Sequence, residues 1–192
     1  MRKILLLAGI LALPACSTLS TTPEIAYQPT TAQNELYDLQ RWAFEGRIAI
    51  TGKNDAWSAN INWEHTPTED LIKLSGPLGQ GGALIQLNAS GVTIDQGGGD
   101  VKSSTDVENF INQQVGLAVP VNSLRYWVVG LPDKSQTAST IANGFEQVGW
   151  KNQYKTMQPV SSYILPRNMT VTSETVKLKL FIDQWMLDDK RK

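Results

Sequence analysis

The chain has only one cysteine and one histidine, Cys16 and His65, among its 192 residues. A single cysteine excludes an internal disulfide, and the shortage of both residue types argues against a zinc site. A Ser-His-Asp triad would have to use His65, and the G-x-S-x-G motif of many hydrolases is absent. We therefore expect neither a metal nor enzymatic catalysis, and we interpret His65 as a residue at a strand edge.

A charge excess of one sign is also lacking, since 17 lysines and arginines balance 18 aspartates and glutamates. The sequence therefore lacks the basic field that attracts nucleic acid. Two glycine-rich stretches, Gly79–Gly82 and Gly97–Gly99, lack the Lys-Ser/Thr pair of a phosphate-binding loop and argue against a nucleotide site. The longest apolar run covers residues 4–13 and is too short to cross a bilayer, which takes about 20 residues.

The first residues have the pattern of a secretory signal. Residues 1–3 carry two positive charges, residues 4–13 are apolar, and Leu13-Pro14-Ala15-Cys16 resembles the lipobox of bacterial lipoproteins. This pattern predicts cleavage before Cys16 and a covalent lipid on its sulfur, with no other cofactor. The alternative is a secreted protein whose cysteine lies beside the cleavage site by chance. By resemblance to other lipoproteins, Ser17 implies export to the periplasmic face of the outer membrane.

The composition predicts a division of the chain into three parts. Residues 1–15 are the predicted signal peptide. Residues 16–38 hold Cys16 and a tether, because the stretch from Ser17 to about Thr31 is rich in serine, threonine and proline. Residues 39–192 have the length of one domain.

Periodicity indicates a sheet interrupted by helices. Apolar residues alternate along 42–51 and again along 57–64, which predicts a hairpin, and shorter strands are expected up to residue 95. Helices are predicted from a capping box at Thr105 and Glu108 and over Pro120–Val129. Strands return over Phe145–Tyr154 and near the C-terminus. This order predicts an antiparallel sheet with helices on one face, either closed on a solid core or curled around a cavity.

One predicted turn, Gly76–Gly82, has an apolar tip where polar residues are usual. Pro77 and Leu78 lie between glycines, and the turn has no charged residue. Leu78 either folds back onto the domain or reaches outward to a membrane or a partner.

Several segments together resemble one known family, the LolB outer-membrane lipoprotein receptors. The most specific is Pro120–Pro132, which reads PVNSLRYWVVGLP. The others are Arg47 with the Trp63 hairpin, the loop Gly76–Gly79, and the C-terminal stretches around Leu165–Met169 and Val176–Trp185. The chain is therefore identified as a member of that family, although Gly76 stands where the family often has asparagine.

The resemblance implies a fold, partners and a site. The expected fold is α+β and mainly β, an incomplete antiparallel barrel whose helices cover an apolar cavity. A LolA-like periplasmic carrier, acylated lipoprotein cargo and outer-membrane phospholipid are the expected partners of a monomer. Pro77, Leu78 and Gly79 take the place of the family's membrane-insertion loop. The aromatic candidates for contact with acyl chains are Trp42, Phe44, Trp57, Trp63, Tyr126 and Trp127.

Two other functions remain open from the residues. A structural outer-membrane lipoprotein would bind protein partners without handling lipid. An envelope hydrolase would depend on His65.

Overall fold

The computed structural model describes residues 25–28, 33–53, 55–76 and 81–188. Cys16 and the predicted insertion loop, Pro77 to Gly79, lie outside the described residues. The helices are α1 (Gln33–Tyr37), α2 (Val107–Val115) and α3 (Val121–Trp127). The strands are β1 (Trp42–Thr51), β2 (Ala56–His65), β3 (Glu69–Ser75), β4 (Gly82–Asn88), β5 (Gly91–Asp95), β6 (Val101–Ser104), β7 (Ala138–Ile141), β8 (Gly144–Gln147), β9 (Trp150–Val160), β10 (Tyr163–Thr172) and β11 (Lys177–Leu187).

The described strands form one sheet of 11 strands in the order β6-β5-β4-β3-β2-β1-β11-β10-β9-β8-β7. Each of these neighbouring pairs is antiparallel, and β1 joins the two halves of the sheet by pairing with β11 as well as β2. β6 and β7 are the two edges, so the sheet stays open. The predicted fold class, an incomplete and curved antiparallel barrel with a helical insertion, is confirmed.

The inner face of the sheet carries the hydrophobic core. Inward residues of both halves, such as Ile85 and Val171, belong to one cluster with α3 because the sheet curves around that helix. Val121, Leu124 and Trp127 of α3 are buried in it. Burial of one residue in two along the central strands explains the alternating pattern of the sequence.

Two details differ from the sequence predictions. The N-cap of α2 is Asp106, not Thr105, and its carboxylate accepts a bond from the Asn109 side chain instead of capping the helix. Strand structure is present near Phe145–Tyr154 as predicted, but a tight turn at Val148 and Gly149 divides it into β8 and β9. Both turn residues have positive φ, 51° and 76°, as a two-residue hairpin requires.

The chain before β1 also packs on the sheet. Ile25 forms a bridge with Met157 of β9, and its carbonyl accepts the Met157 N–H at 2.9 Å. Tyr27 is buried, and the Tyr37 hydroxyl at the end of α1 donates to the Pro132 carbonyl at 2.8 Å. Parts of the predicted tether therefore contribute to the core. Across the described ranges, no helix has the length and apolar character to span a membrane.

Candidate functional site

Three of the predicted aromatic residues meet at one end of the inner face. Trp42, Phe44 and Trp63 lie on β1 and β2, and Trp185 of β11 joins them. The ring centroids of Trp42 and Trp63 are 5.5 Å apart, and those of Phe44 and Trp185 are 5.2 Å apart. Their exposed fractions are 7% or less. We call these four rings the tryptophan cluster, and they fill their space as a packed core does.

The other three predicted aromatic residues lie elsewhere. Trp57 is half-buried further along β2, and its Nε1 donates to the Gly116 carbonyl at 3.3 Å. Trp127 of α3 is fully buried, and its Nε1 donates to Gln147 Oε1 at 2.8 Å. Tyr126 is half-buried on the same helix. The structure thus does not bring the six candidates to one cavity, and their contact with acyl chains stays a prediction.

A buried carboxylate ties α3 to the sheet beside the tryptophan cluster. Asp70 of β3 is 1% exposed and accepts from Trp63 Nε1 at 2.9 Å. It also lies 2.7 Å from His65 Nδ1 and 2.8 Å from Arg125 Nη2, the latter on α3. His65 stacks on Trp42, with centroids 5.0 Å apart. The single histidine therefore serves packing, and the described residues contain no cluster of metal-ligating side chains.

A cavity of about 350 Å³ lies between the segment before β1 and the β9–β10 hairpin. Its size is in the range of small-molecule pockets in proteins. The lining is mostly apolar and comprises Ile25, Ala26, Tyr27, Gln28, Glu35, Leu36, Val129, Gly130, Met157, Ser162, Tyr163 and Ile164. We call it the hairpin cavity. Of the described cavities, it is the one that combines an apolar lining with a wall supplied by a separate segment of chain.

Tyr27 closes one side of the hairpin cavity. Its ring stacks on Tyr154 of β9 with centroids 4.5 Å apart, and its hydroxyl donates to the Gly130 carbonyl at 3.3 Å. Tyr154 is 1% exposed and donates to the Trp127 carbonyl at 2.8 Å. Burial raises the pKa of Tyr154 well above its usual value, with Tyr27 and Tyr37 adding to the effect. The wall is therefore uncharged at neutral pH.

The residues that line the hairpin cavity have no pattern in the sequence that would predict a cavity. Ile25 and Tyr27 lie in a stretch dominated by threonine and proline, so their apolar side chains showed no period. The alternation within β9 and β10 was the available signal for Met157 and Tyr163. It predicts which side chains face inward but not where the inner face is left unfilled.

Comparison with known proteins decides the family. Residues 40–185 match the family described as outer membrane lipoprotein LolB. The chain belongs to the LolB family. An outer-membrane lipoprotein LolB of Marinomonas sp. (strain MWYL1) is 30% identical over 97% of this chain and 98% of that one. One of Francisella tularensis subsp. tularensis (strain WY96-3418) is 30% identical over 96% and 93%.

Membership confirms the resemblance seen in the sequence and the predicted character of an outer-membrane lipoprotein in lipoprotein localisation. Among solved structures, a DUF1329 family protein from Desulfovibrio piger is similar with a TM-score of 0.46 at 7% identity. That likeness covers 83% of this chain and 90% of the other.

Proposed function

We propose that the protein accepts acylated lipoproteins from a LolA-like periplasmic carrier and inserts them into the inner leaflet of the outer membrane. It acts as a monomer, by binding and release, without catalysis and without an energy source. The observation that carries the proposal is the hairpin cavity, an apolar space in a member of the LolB family. Its wall at Tyr27 belongs to a segment that a ligand can displace.

The chemistry of the cargo explains the need for such a cavity. Three acyl chains hold on the order of 40 methylenes, and exposing each to water costs about 0.8 kcal/mol, so the total approaches 30 kcal/mol. Acyl chains therefore have to pass directly from one apolar site to the next. A receptor needs no fuel if it binds them more tightly than the carrier and less tightly than the bilayer.

A transfer assay tests this function. Carrier-bound lipoprotein is mixed with liposomes, with and without the protein, and the lipoprotein recovered with the liposomes is measured. We expect Ile164→Trp, which narrows the hairpin cavity, to lower the affinity for an acylated peptide about tenfold. The matched control is Leu84→Trp on β4, because Leu84 and Ile164 are 40% and 44% exposed. Equal losses in both variants, or no acyl binding at all, would favour a structural lipoprotein that binds protein partners.

For the predicted insertion loop, we propose that Leu78 acts in release and not in acceptance. A leucine that dips among lipid headgroups gains at most about 1.5–3 kcal/mol, which holds a cavity mouth against a leaflet without anchoring the protein. Leu78→Glu should then still take cargo from the carrier but fail to deliver it to liposomes, while Leu84→Glu delivers normally. Loss of acceptance with an unchanged fold would contradict this role.

We further propose that lipid on Cys16 concentrates the protein at its membrane. The anchor is then separate from the cavity, so Cys16→Ser should release the protein from membranes washed with about 1 M salt while leaving acceptance of cargo intact. Mass spectrometry of the mature N-terminus checks the modification itself.

A further inference from the structure

The charged residues of the sheet are unevenly divided between its two halves. β1 and β7 to β11, which are adjacent in the sheet, carry six cations and three anions, the anions being Glu45, Glu146 and Asp183. The cations are Arg47, Lys151, Lys155, Arg167, Lys177 and Lys179. β2 to β6 carry two lysines and four carboxylates. The first group therefore has a net charge of 6 − 3 = +3 and the second 2 − 4 = −2, with His65 counted as neutral.

The six cations lie on the outer face and are exposed. Lys177 and Lys151 both pair with Thr172, from opposite sides, so they share one row about 10 Å apart. Lys179 lies one outward position along β11 from Lys177. We call this outer surface of β9, β10, β11 and β1 the basic face.

Most of these charges are uncompensated. Among the residues that the structure describes, Arg47 is the only one of the six with a carboxylate partner. It binds Asp183 through two bonds of 3.2 and 2.9 Å, and its guanidinium lies 4.5 Å from the Phe181 ring. The Arg167 guanidinium lies 5.6 Å from the same ring.

The shape of the basic face is suited to binding small anionic groups. A depression of about 410 Å³ lies between Arg47 and Lys179, with the short side chains of Ala49 and Ser58 in its lining. The side chains between the lysines are small and polar, among them Thr170 and Thr172. The large apolar side chain at the centre is Phe181, which is half-buried and covered by the Arg47 and Arg167 guanidiniums. Ile164 and Met186, which are exposed, lie near the ends of β10 and β11. The centre of the face thus offers charge and not the apolar surface that forms the core of protein–protein interfaces.

We propose that the basic face lies on the anionic phospholipid headgroups of the membrane that holds the protein. Headgroup phosphates offer many small anions side by side on a surface, which matches cations scattered over the outer face of the sheet. The position of the anchor agrees, because Ile25 pairs with β9 at the border of this face. Eight residues lie between Cys16 and Ile25, and the nine steps from Cα to Cα span at most about 30 Å, so the tether keeps the basic face near the leaflet.

The inference uses the outer-membrane location of the family and not the transfer of acyl chains. Either can therefore fail without the other. Binding to cargo-free vesicles tests the first, and the carrier-to-liposome assay tests the second.

The experiment measures cosedimentation with vesicles of phosphatidylcholine alone and of phosphatidylcholine with phosphatidylglycerol. The protein is the mature chain with Cys16→Ser, which keeps the entire described core and removes the lipid anchor. The test variant is the double substitution Lys177→Gln and Lys179→Gln. Its matched control is Lys73→Gln and Lys102→Gln, which removes the same charge from exposed sites in the other half of the sheet.

We expect the parent chain to bind only the vesicles with phosphatidylglycerol, and to detach near 1 M salt, where the screening length is about 3 Å. Each cation near a membrane contributes about fivefold in affinity, so the test variant should bind about 25-fold more weakly. The control should change by less than about twofold. Equal effects of the two variants would overturn the proposal. So would normal vesicle binding by a test variant that no longer accepts cargo from its carrier, since the basic face would then bind an acidic protein.

Discussion

Two groups of aromatic rings on the inner face of the same sheet differ in how the chain supplies them. The tryptophan cluster takes its four rings from β1, β2 and β11, each held by long ladders of backbone hydrogen bonds. Around Tyr154, one ring, Tyr27, comes from the segment before β1, which meets β9 at the bridge between Ile25 and Met157. The first group is solid, whereas the second borders the hairpin cavity. Similar rings thus fill the core at one place and form the wall of a cavity at the other.

The largest change in stability should come from a substitution in the tryptophan cluster. Trp63→Ala removes a ring that is 1% exposed and packs against Trp42 and Phe44. We expect the free energy of unfolding to fall by about 3–5 kcal/mol, measured by urea denaturation. The control is Trp57→Ala on the same strand, where a half-buried ring should cost much less. Similar losses at both positions would show that a ring in the tryptophan cluster contributes no more to stability than a half-buried ring does.

The next effect concerns the attachment of α3 to the sheet. Asp70→Ala leaves the Arg125 guanidinium without its carboxylate and removes the acceptor for Trp63. We expect a loss of about 3 kcal/mol in the free energy of unfolding, because the buried Trp63 N–H loses its acceptor and the Arg125 side chain, which is 27% exposed, loses its carboxylate. Asp183→Ala breaks an exposed pair instead, with side chains 60% and 48% exposed, and should cost less than about 1 kcal/mol. A small effect at Asp70 would mean that water replaces the carboxylate as the partner of Arg125.

A substitution at Tyr27 should lower the stability less, and it should increase the binding of an apolar probe. Tyr27→Ala should lower the free energy of unfolding by about 1–2 kcal/mol, through loss of the stacking on Tyr154. The same change widens the hairpin cavity, so an apolar fluorescent probe should bind more tightly. Tyr27→Phe keeps the ring and loses the bond to Gly130, and it should bind the probe as the parent does. Unchanged probe binding in Tyr27→Ala would place the probe elsewhere.

The sequence was sufficient to predict the inward face of the central strands, but not the hairpin cavity. Alternation along β1, β2 and β11 predicted which side chains face inward, because a strand has a period of two. It failed at Val148, since a β-branched residue with φ of 51° is unusual in a tight turn and concealed the break between β8 and β9. The candidate site was predicted through its large rings, and three of these met in the tryptophan cluster. Where such rings leave space depends on packing between distant strands, which no local pattern records.

The smallest effect we predict is a pH dependence at the base of the hairpin cavity. Tyr154 is 1% exposed, and burial raises its pKa well above the ordinary value near 10. The folded state therefore favours the neutral phenol, and the unfolded chain ionises first as the pH rises. Stability is fully present below about pH 10, the unfolded pKa, and is lost above it as the pH rises towards the higher folded pKa. Unfolding free energies measured across that range should decline less steeply in Tyr154→Phe than in the parent.

Tyr37 is the control, because burial also raises its pKa. Tyr37→Phe should flatten the pH profile of stability less, since that ring is only partly buried. An equal slope in parent and Tyr154→Phe would mean that the phenol already reaches water, and that the wall at Tyr27 opens in the absence of cargo.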